Sequence, residues 1–224
     1  MNKINTKITR LHKSVIKAAR GISSATLHEA YYKKGAVDNF IKPICIGRVL
    51  CGSAITVSCT PGDNLGLHVA IALCKPGDVL VATVNNHPEF GYWGEIMAVA
   101  AIEKGISGLV IDGCVRDFAE LCRLPFPIFA SGLCIKGTNK KSFHSINHPI
   151  TLGTILINPG DLILGDDDGL VVIARDRVPE VIKMAMLRQE KEEWIIENLK
   201  KGKTTLELLG LDKEWSRIKS ICNT

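Results

Sequence analysis

The sequence predicts a single α/β domain, a layered sandwich with a mixed parallel and antiparallel sheet, and three observations lead there. Between residues 44 and 131 short apolar runs alternate with helical segments in the order β-α-β-α-β, which favours parallel strands with helices packed outside. From residue 154 the pattern changes to TILIN, PGD, LILGDDDG and LVVIA, strands joined by tight turns and therefore antiparallel. A long amphipathic segment from Arg177 to Lys200 follows, stopped by Gly202, with a terminal piece over 204–219. The second half lacks the four further β-α units of a TIM barrel. No internal repeat or linker divides residues 1–224, so one domain is expected, with helical segments 1–35 and 176–224 packed on it.

The elements follow in order. Residues 13–34 carry Val15, Ile16, Ala19 and Ile22 near helical spacing, and Gly21 with Ser23 and Ser24 splits them into two helices, the second ATLHEAYYKK ending at Gly35. ICIGRVLCGSAITVSC (44–59) reads as strands with turns at Gly47 and Gly52. NLGLHVAIALC is a short helix, and Pro76-Gly77 turns the chain into the strand DVLVATV (78–84). The loop NNHPEFGYWG leads to a helix from Glu95 to Lys104. Then come the strand GLVID (108–112), the turn GCVRD, the short helix AELCRL and the strand PIFAS (127–131).

Composition narrows the function classes. The chain has 224 residues, 46% hydrophobic and 23% charged, which excludes disorder as the main state. Aromatics are only 5%, so the core is aliphatic. A net charge of +5, without a basic block or interleaved aromatics, gives no ground for a nucleic-acid partner. No run is apolar enough to span a membrane, and MNKINTKITRLHKS has no apolar leader core. Of the eight cysteines none forms a CxxC pair, and Cys59 and Cys74 lie inside apolar runs. Reduced thiols in a cytoplasmic protein are the expectation.

Candidate chemistry concentrates in Gly94–Asp117, GEIMAVAAIEKGISGLVIDGCVRD. In a β-α-β unit the helix start and the exit of the next parallel strand share one end of the sheet, where open α/β sheets bind ligands. Gly94, Glu95 and the amides of Ile96 and Met97 therefore face Arg116 and Asp117. Free amides at a helix start bind anions, and a guanidinium fork suits a carboxylate. Asp117 offers the hard oxygen that Mg²⁺ or Mn²⁺ accepts. The competing reading is a local ion pair with Glu95 as a dipole-favoured acid. His68, after Asp63-Asn64, is a candidate base, while Asp63 reads equally well as a helix cap. Asp166, Asp167 and Asp168 lack calcium-loop spacing and read as a tight turn. Lys104 and Lys136 lie in no apolar strand that would suit a Schiff base.

GDNLGLH (62–68), PGDVLVAT (76–83), WGEIMAVAA (93–101), GLVIDGCVRD (108–117), IKGT (135–138) and GDDDGLVVIAR (165–175) occur in an order that resembles the RraA-like family. The resemblance implies an α-β-β-α sandwich of the swivelling type, assembled as a homotrimer or homohexamer with sites between subunits. It also implies a branch. The family's aldolases carry an acid, twenty residues, then Arg-Asp, whereas its ribonuclease-binding regulators have glycine at the acid position. Glu95-x20-Arg116-Asp117 points to the aldolases of 4-hydroxy-4-methyl-2-oxoglutarate and 4-carboxy-4-hydroxy-2-oxoadipate, which have Asp where this chain has Glu95. By resemblance Asp117 ligates Mg²⁺ or Mn²⁺ directly, and Arg116 with the amides after Glu95 holds the carboxylate of a 2-oxo acid. Glu95 and Glu29 act through water at the metal, and an acid of the EKEE run (Glu190, Glu192 or Glu193, with Glu192 preferred) reaches a neighbouring subunit's site. Two readings compete for Glu29, since Thr26-x-x-Glu29 also has capping-box spacing. The EKEE acids fit a solvated helix face as well. Oxaloacetate decarboxylation is the expected companion activity, and a ribonuclease regulator is the alternative.

Overall fold

The computed structural model describes residues 3–222, apart from the side chains of Ser220 and Cys222. Strand β1 (Lys3–Ile4) precedes two helices, α1 (Lys13–Arg20) and α2 (Ser24–Ala30). The second helix ends four residues before the predicted stop, because Tyr32 and Lys33 take left-handed φ of 57° and 58°. Its N-cap is Ser23, whose side chain accepts from Thr26 N–H, so Thr26 is not a cap and the Thr26–Glu29 box does not form.

After β2 (Lys42–Pro43) comes β3 (Leu50–Cys59), one continuous ten-residue strand where turns were expected. Gly52 lies inside it because a Cβ there would collide with the carbonyl of Gly77. Then follow α3 (Leu65–Leu73), β4 (Asp78–Thr83), β5 (Gly91–Trp93), α4 (Glu95–Glu103), β6 (Gly108–Ile111), β7 (Cys114–Val115), α5 (Phe118–Arg123), β8 (Ile128–Ala130) and β9 (Gly132–Leu133). The third quarter adds β10 (Phe143–Ile146), β11 (Ile150–Leu152) and β12 (Ile155–Ile157). Strands β13 (Leu162–Asp166) and β14 (Gly169–Ile173) then lead to α6 (Val178–Lys200), α7 (Thr205–Leu209) and α8 (Asp212–Cys222).

The main sheet has the order β1-β10-β3-β4-β6-β8-β2, with β3, β4, β6 and β8 parallel, β10 antiparallel to β3 but parallel to β1, and β2 antiparallel to β8. Strand β13 pairs with the first residues of β3 and with β14, both antiparallel, as the turn-rich sequence predicts. The sheet is α/β and mixed. Period-two alternation divides its two faces. Leu80, Ala82, Leu109, Ile111 and Ile128 face one core with α3, α4 and α5, whereas Val79, Val81, Val110 and Phe129 face the β11–β12 hairpin. Helices α1, α2 and the start of α6 cover β13 and β14 with a third cluster, including Leu27, Val178 and Ala185. Each fully buried aliphatic chain contributes about 1.5–3 kcal/mol by leaving water.

A second, smaller sheet sits beyond the carboxyl ends of the parallel strands. There β4, β6 and β8 run on into β5, β7 and β9, which pair in parallel in the same order. The sequence predicts a loop where β5 forms and a turn where β7 forms.

The cysteines need one correction. Cys45 and Cys122 form a disulfide, with Cα atoms 5.6 Å apart, so the thiols are not all reduced. The loop after β2 lies against α5, where Arg48 Nη1 donates to the carbonyls of Leu121 (3.1 Å) and Phe126 (3.3 Å) and Nη2 donates to that of Cys122. Cys51, Cys59 and Cys74 are free and buried, and burial pushes the Cys51 thiol up to about 11. Among the described residues no helix is long and apolar enough to cross a membrane.

Candidate active site

The small sheet builds a crevice at the carboxyl end of the main one. Strand β7 pairs beside β5, and Arg116 N–H donates to the Trp93 carbonyl (2.9 Å), which brings Arg116 and Asp117 to the start of α4. Asp117 adopts a left-handed φ of 62°, a conformation that costs a non-glycine residue about 1 kcal/mol or more and recurs at functional sites. This turn aims the carboxylate back at the helix, where Oδ2 accepts the Glu95 N–H at 3.1 Å. Gly94 makes the approach possible, since a Cβ there would collide with Asp117 Oδ2. Gly91 does the same for Arg116, whose Cδ would lie 3.0 Å from a Cβ.

The first amide of α4 is thus taken by Asp117 rather than left open, and Ala98 N–H is satisfied by the Gly94 carbonyl. The amides of Ile96 and Met97 remain without a partner among the described residues. The Arg116 guanidinium lies 3.8 Å from Asp117 Oδ2, and both side chains are nearly half exposed. An ion pair so solvated contributes at most about 1 kcal/mol, which leaves Arg116 available to a ligand.

The crevice holds about 190 Å³ between Arg116, Asp117, Met97, Asn64, His68 and Lys140. Asn64 is 5% exposed and gives its amide hydrogens to the Tyr92 carbonyl (2.9 Å) and Met97 Sδ (3.4 Å), while its Oδ1 has no partner. Asp63 caps from the side, accepting from Leu65, Lys141 and Ser142 amides, which fixes the 139–142 loop carrying Lys140 over the crevice. His68 Nε2 is buried and unpartnered, and burial first, then the Lys140 charge, lowers its pKa. The imidazole is therefore held neutral at physiological pH. Two cations and the open amides at the start of α4 describe a site for a small anion, while the unpaired acceptor Asn64 Oδ1 is left for a hydroxyl group or a cation of the bound species.

The other sequence candidates divide clearly. Glu29 and Glu192 come together, but around Arg188, at 3.6 and 2.8 Å, on the helical layer of α2 and α6. Neither lines the crevice. Asp166 accepts from Ser24 N–H (2.7 Å), Ser24 Oγ (2.6 Å) and Asp168 N–H (3.1 Å), as a tight turn should. Lys136 pairs with Glu89 at 3.0 Å, which raises its pKa. Asn64 and Lys140 were not recognised as site residues from sequence, although GDN and the residues after IKGT flag their neighbourhoods.

The family described as RraA-like (Aldolase/RraA) matches residues 22–172, two thirds of the chain and every element that builds this crevice. The chain belongs to the RraA-like family. A relative from Methanocaldococcus jannaschii, the uncharacterized protein MJ0644, is 35% identical over 78% of this chain and 85% of its own. A relative from Halalkalibacterium halodurans, named "Putative 4-hydroxy-4-methyl-2-oxoglutarate aldolase", is 37% identical over 68% of this chain and 73% of its own. Among solved structures, an uncharacterized protein from Pseudomonas syringae superposes with a TM-score of 0.83 at 27% identity, covering 92% of this chain and 97% of that one. Streptomyces coelicolor RraAS2, described as an unusual member of the RNase ES inhibitor RraA family, reaches 0.76 at 25% identity over 84% and 98%.

Proposed function

We propose that this RraA-like protein is a divalent-metal-dependent carbon–carbon lyase. Its substrate would be 4-hydroxy-4-methyl-2-oxoglutarate or 4-carboxy-4-hydroxy-2-oxoadipate, cleaved to pyruvate and a second oxo acid, with oxaloacetate decarboxylation beside it. The observation that carries the reading is the meeting of Glu95, Arg116 and Asp117 at one helix start beside two unpartnered polar atoms. The names of the aldolase relatives point the same way.

The family implies a Mg²⁺ or Mn²⁺ ion beside Asp117, and the residues fit one. Among the described residues Asp117 Oδ1 is bonded to nothing, and the crevice adds the unpaired Asn64 Oδ1. Among the described residues no three His, Cys, Asp or Glu side chains cluster, so such an ion would keep most of its sites for water and substrate oxygens, as Mg²⁺ prefers. When bound it would supply Lewis-acid stabilisation of charge growing on the substrate's 2-oxo oxygen.

The chain's own residues do the rest. Arg116 and the Ile96 and Met97 amides hold the carboxylate next to the 2-oxo group. Cleavage breaks the C3–C4 bond, leaves the electron pair in a pyruvate enolate and turns the C4 hydroxyl into a carbonyl as its proton departs. His68, with Nε2 open, can take that proton and return the same proton to C3 of the enolate, directly or through a water held by Glu95 at the start of α4. In oxaloacetate the same electron pair is left as CO₂ departs. Lys140 draws the distal carboxylate inward. In a homotrimer or homohexamer, Glu29 and Glu192 would act on a site across a subunit boundary.

The test is pyruvate release from 4-hydroxy-4-methyl-2-oxoglutarate and from oxaloacetate, with Mg²⁺ and after EDTA. Release that needs metal and disappears in Asp117→Ala supports the lyase. Absence of release from folded protein, with capture of a ribonuclease at physiological salt, would favour the regulator reading that the RraAS2 likeness supports.

A further inference from the structure

The carboxyl ends of β4 and β6 open onto a second cavity, of about 590 Å³, bounded by the 84–90 connector and the β11–β12 hairpin. Its chemistry is the reverse of the crevice's. Asp112, at the exit of β6, brings a carboxylate to it, and among the described residues no lysine, arginine or histidine lines it. Thr83 Oγ1 donates to Asp112 Oδ2 (2.7 Å) and Val84 N–H to Oδ1 (2.6 Å), which fixes the carboxylate but brings no positive charge. Asn85 and Asn86 follow with consecutive left-handed φ of 53° and 64°, a strained pair at the cavity wall. The Asn86 side chain is exposed and without a hydrogen-bond partner among the described residues, and the Phe40 ring, 47% exposed, forms an apolar wall.

We propose that this cavity is a binding site for a small organic ammonium compound, its cationic head on Asp112 and its alkyl or aryl body against Phe40. A half-buried carboxylate with fixed donors and no counter-ion has lone pairs left for N⁺–H groups, and charge-assisted bonds of this kind are the strong ones. Burial pushes the Asp112 carboxyl above the ordinary aspartate range, with no cation acting against that push. A phenyl wall suits an ammonium-bearing chain through both area and ring quadrupole. An anion would meet the carboxylate with only neutral donors such as Asn86 against it, and a neutral polyol would leave the charge uncompensated. The position, at the ends of parallel strands, is where open α/β sheets bind ligands. The inference stands apart from the lyase reading, because none of its residues lies in the Arg116 crevice.

The experiment titrates the full chain with n-butylammonium chloride, n-butanol and erythritol at constant ionic strength, following the amide NMR signals of Val84, Asn86 and Gly153. We expect saturable shifts with n-butylammonium, at least about tenfold tighter than with n-butanol, and none with erythritol. Asp112→Asn should weaken n-butylammonium about tenfold or more. Because that variant alters bonds to Thr83 and Val84, Thr151→Lys on the exposed cavity wall is the second: its ammonium should occupy Asp112 and abolish the shifts while pyruvate release is unchanged. Equal binding of n-butanol, binding of erythritol, absence of shifts with n-butylammonium, or persistence of its binding in folded Thr151→Lys would each overturn the proposal.

Discussion

Asp112 and Asp117 lie five residues apart, at the exits of the successive strands β6 and β7, yet they live in different physical worlds. Asp112 is half-buried, clamped by a hydroxyl and an amide, and its carboxyl titrates high. Asp117 sits after β7, 40% exposed, in a left-handed backbone conformation, with one oxygen on a helix amide and the other free. The two-residue strand β7 is enough to carry the second acid from one cavity to the other. What separates them is what the backbone does with each. The first carboxylate is tied into the fold, and the second is presented to a ligand at a cost in backbone strain.

The sharpest way to break this contrast is to remove each acid. On the proposed mechanism Asp117→Ala lowers pyruvate release at least about a hundredfold. Asp117→Gly should do the same while leaving stability within about 1 kcal/mol, since relief of the left-handed conformation offsets the lost bond to Glu95 N–H. Urea unfolding measures the second half of that statement. Gly94→Ala comes next: its methyl group displaces Asp117 from the helix start, and we expect activity to fall by roughly tenfold to a hundredfold with the fold intact.

Asp112 should respond in the opposite sense. Asp112→Ala strands Thr83 Oγ1 and Val84 N–H, for a loss of about 1–3 kcal/mol in unfolding free energy. Its raised folded pKa also predicts a pH signature. The folded state binds the Asp112 proton more tightly than the unfolded chain, so this group's contribution falls as pH rises from the ordinary value of 3.8 to the raised one, then stays level. The stability difference between wild type and Asp112→Asn should change over that window and be flat above it; a difference flat throughout would show that burial does not shift the group. The smallest effect belongs to Arg188→Ala. Its partners Glu29 and Glu192 are solvated, so the denaturation midpoint should correspond to a loss of no more than about 1 kcal/mol.

Much of this was legible in the sequence for a definite reason. Runs such as DVLVATV and GLVID, bounded by Pro-Gly and glycine, carry strand length and punctuation within themselves, and the β-α-β order follows. Arg116 and Asp117 are adjacent, and a topological rule places them opposite Glu95. The rest depends on tertiary pairing. Strands β5, β7 and β9 are too short to show a period, and they exist because a parent strand delivers each to its neighbour. Gly52 looked like a turn because its reason, the Gly77 carbonyl, lies 25 residues away in the chain. Cys45 and Cys122 are 77 residues apart and share no motif. Asn64 and Lys140 are ordinary polar residues until the fold brings both to one crevice.

The continuation of three strands from one sheet into another also determines where this protein has room to change. Residues 112–113 and residue 131 are all that link β6 to β7 and β8 to β9, so an insertion at either would pull two sheets out of step at once. The 84–90 segment between β4 and β5 is longer, with Asn85 tied to the Cys59 carbonyl and Asn86 exposed. New sequence placed at Asn86, ahead of the Pro88 carbonyl that accepts from Cys114 N–H (3.1 Å), would leave in register the strand that delivers Arg116 and Asp117, which makes that point of the connector the natural place for a new recognition element.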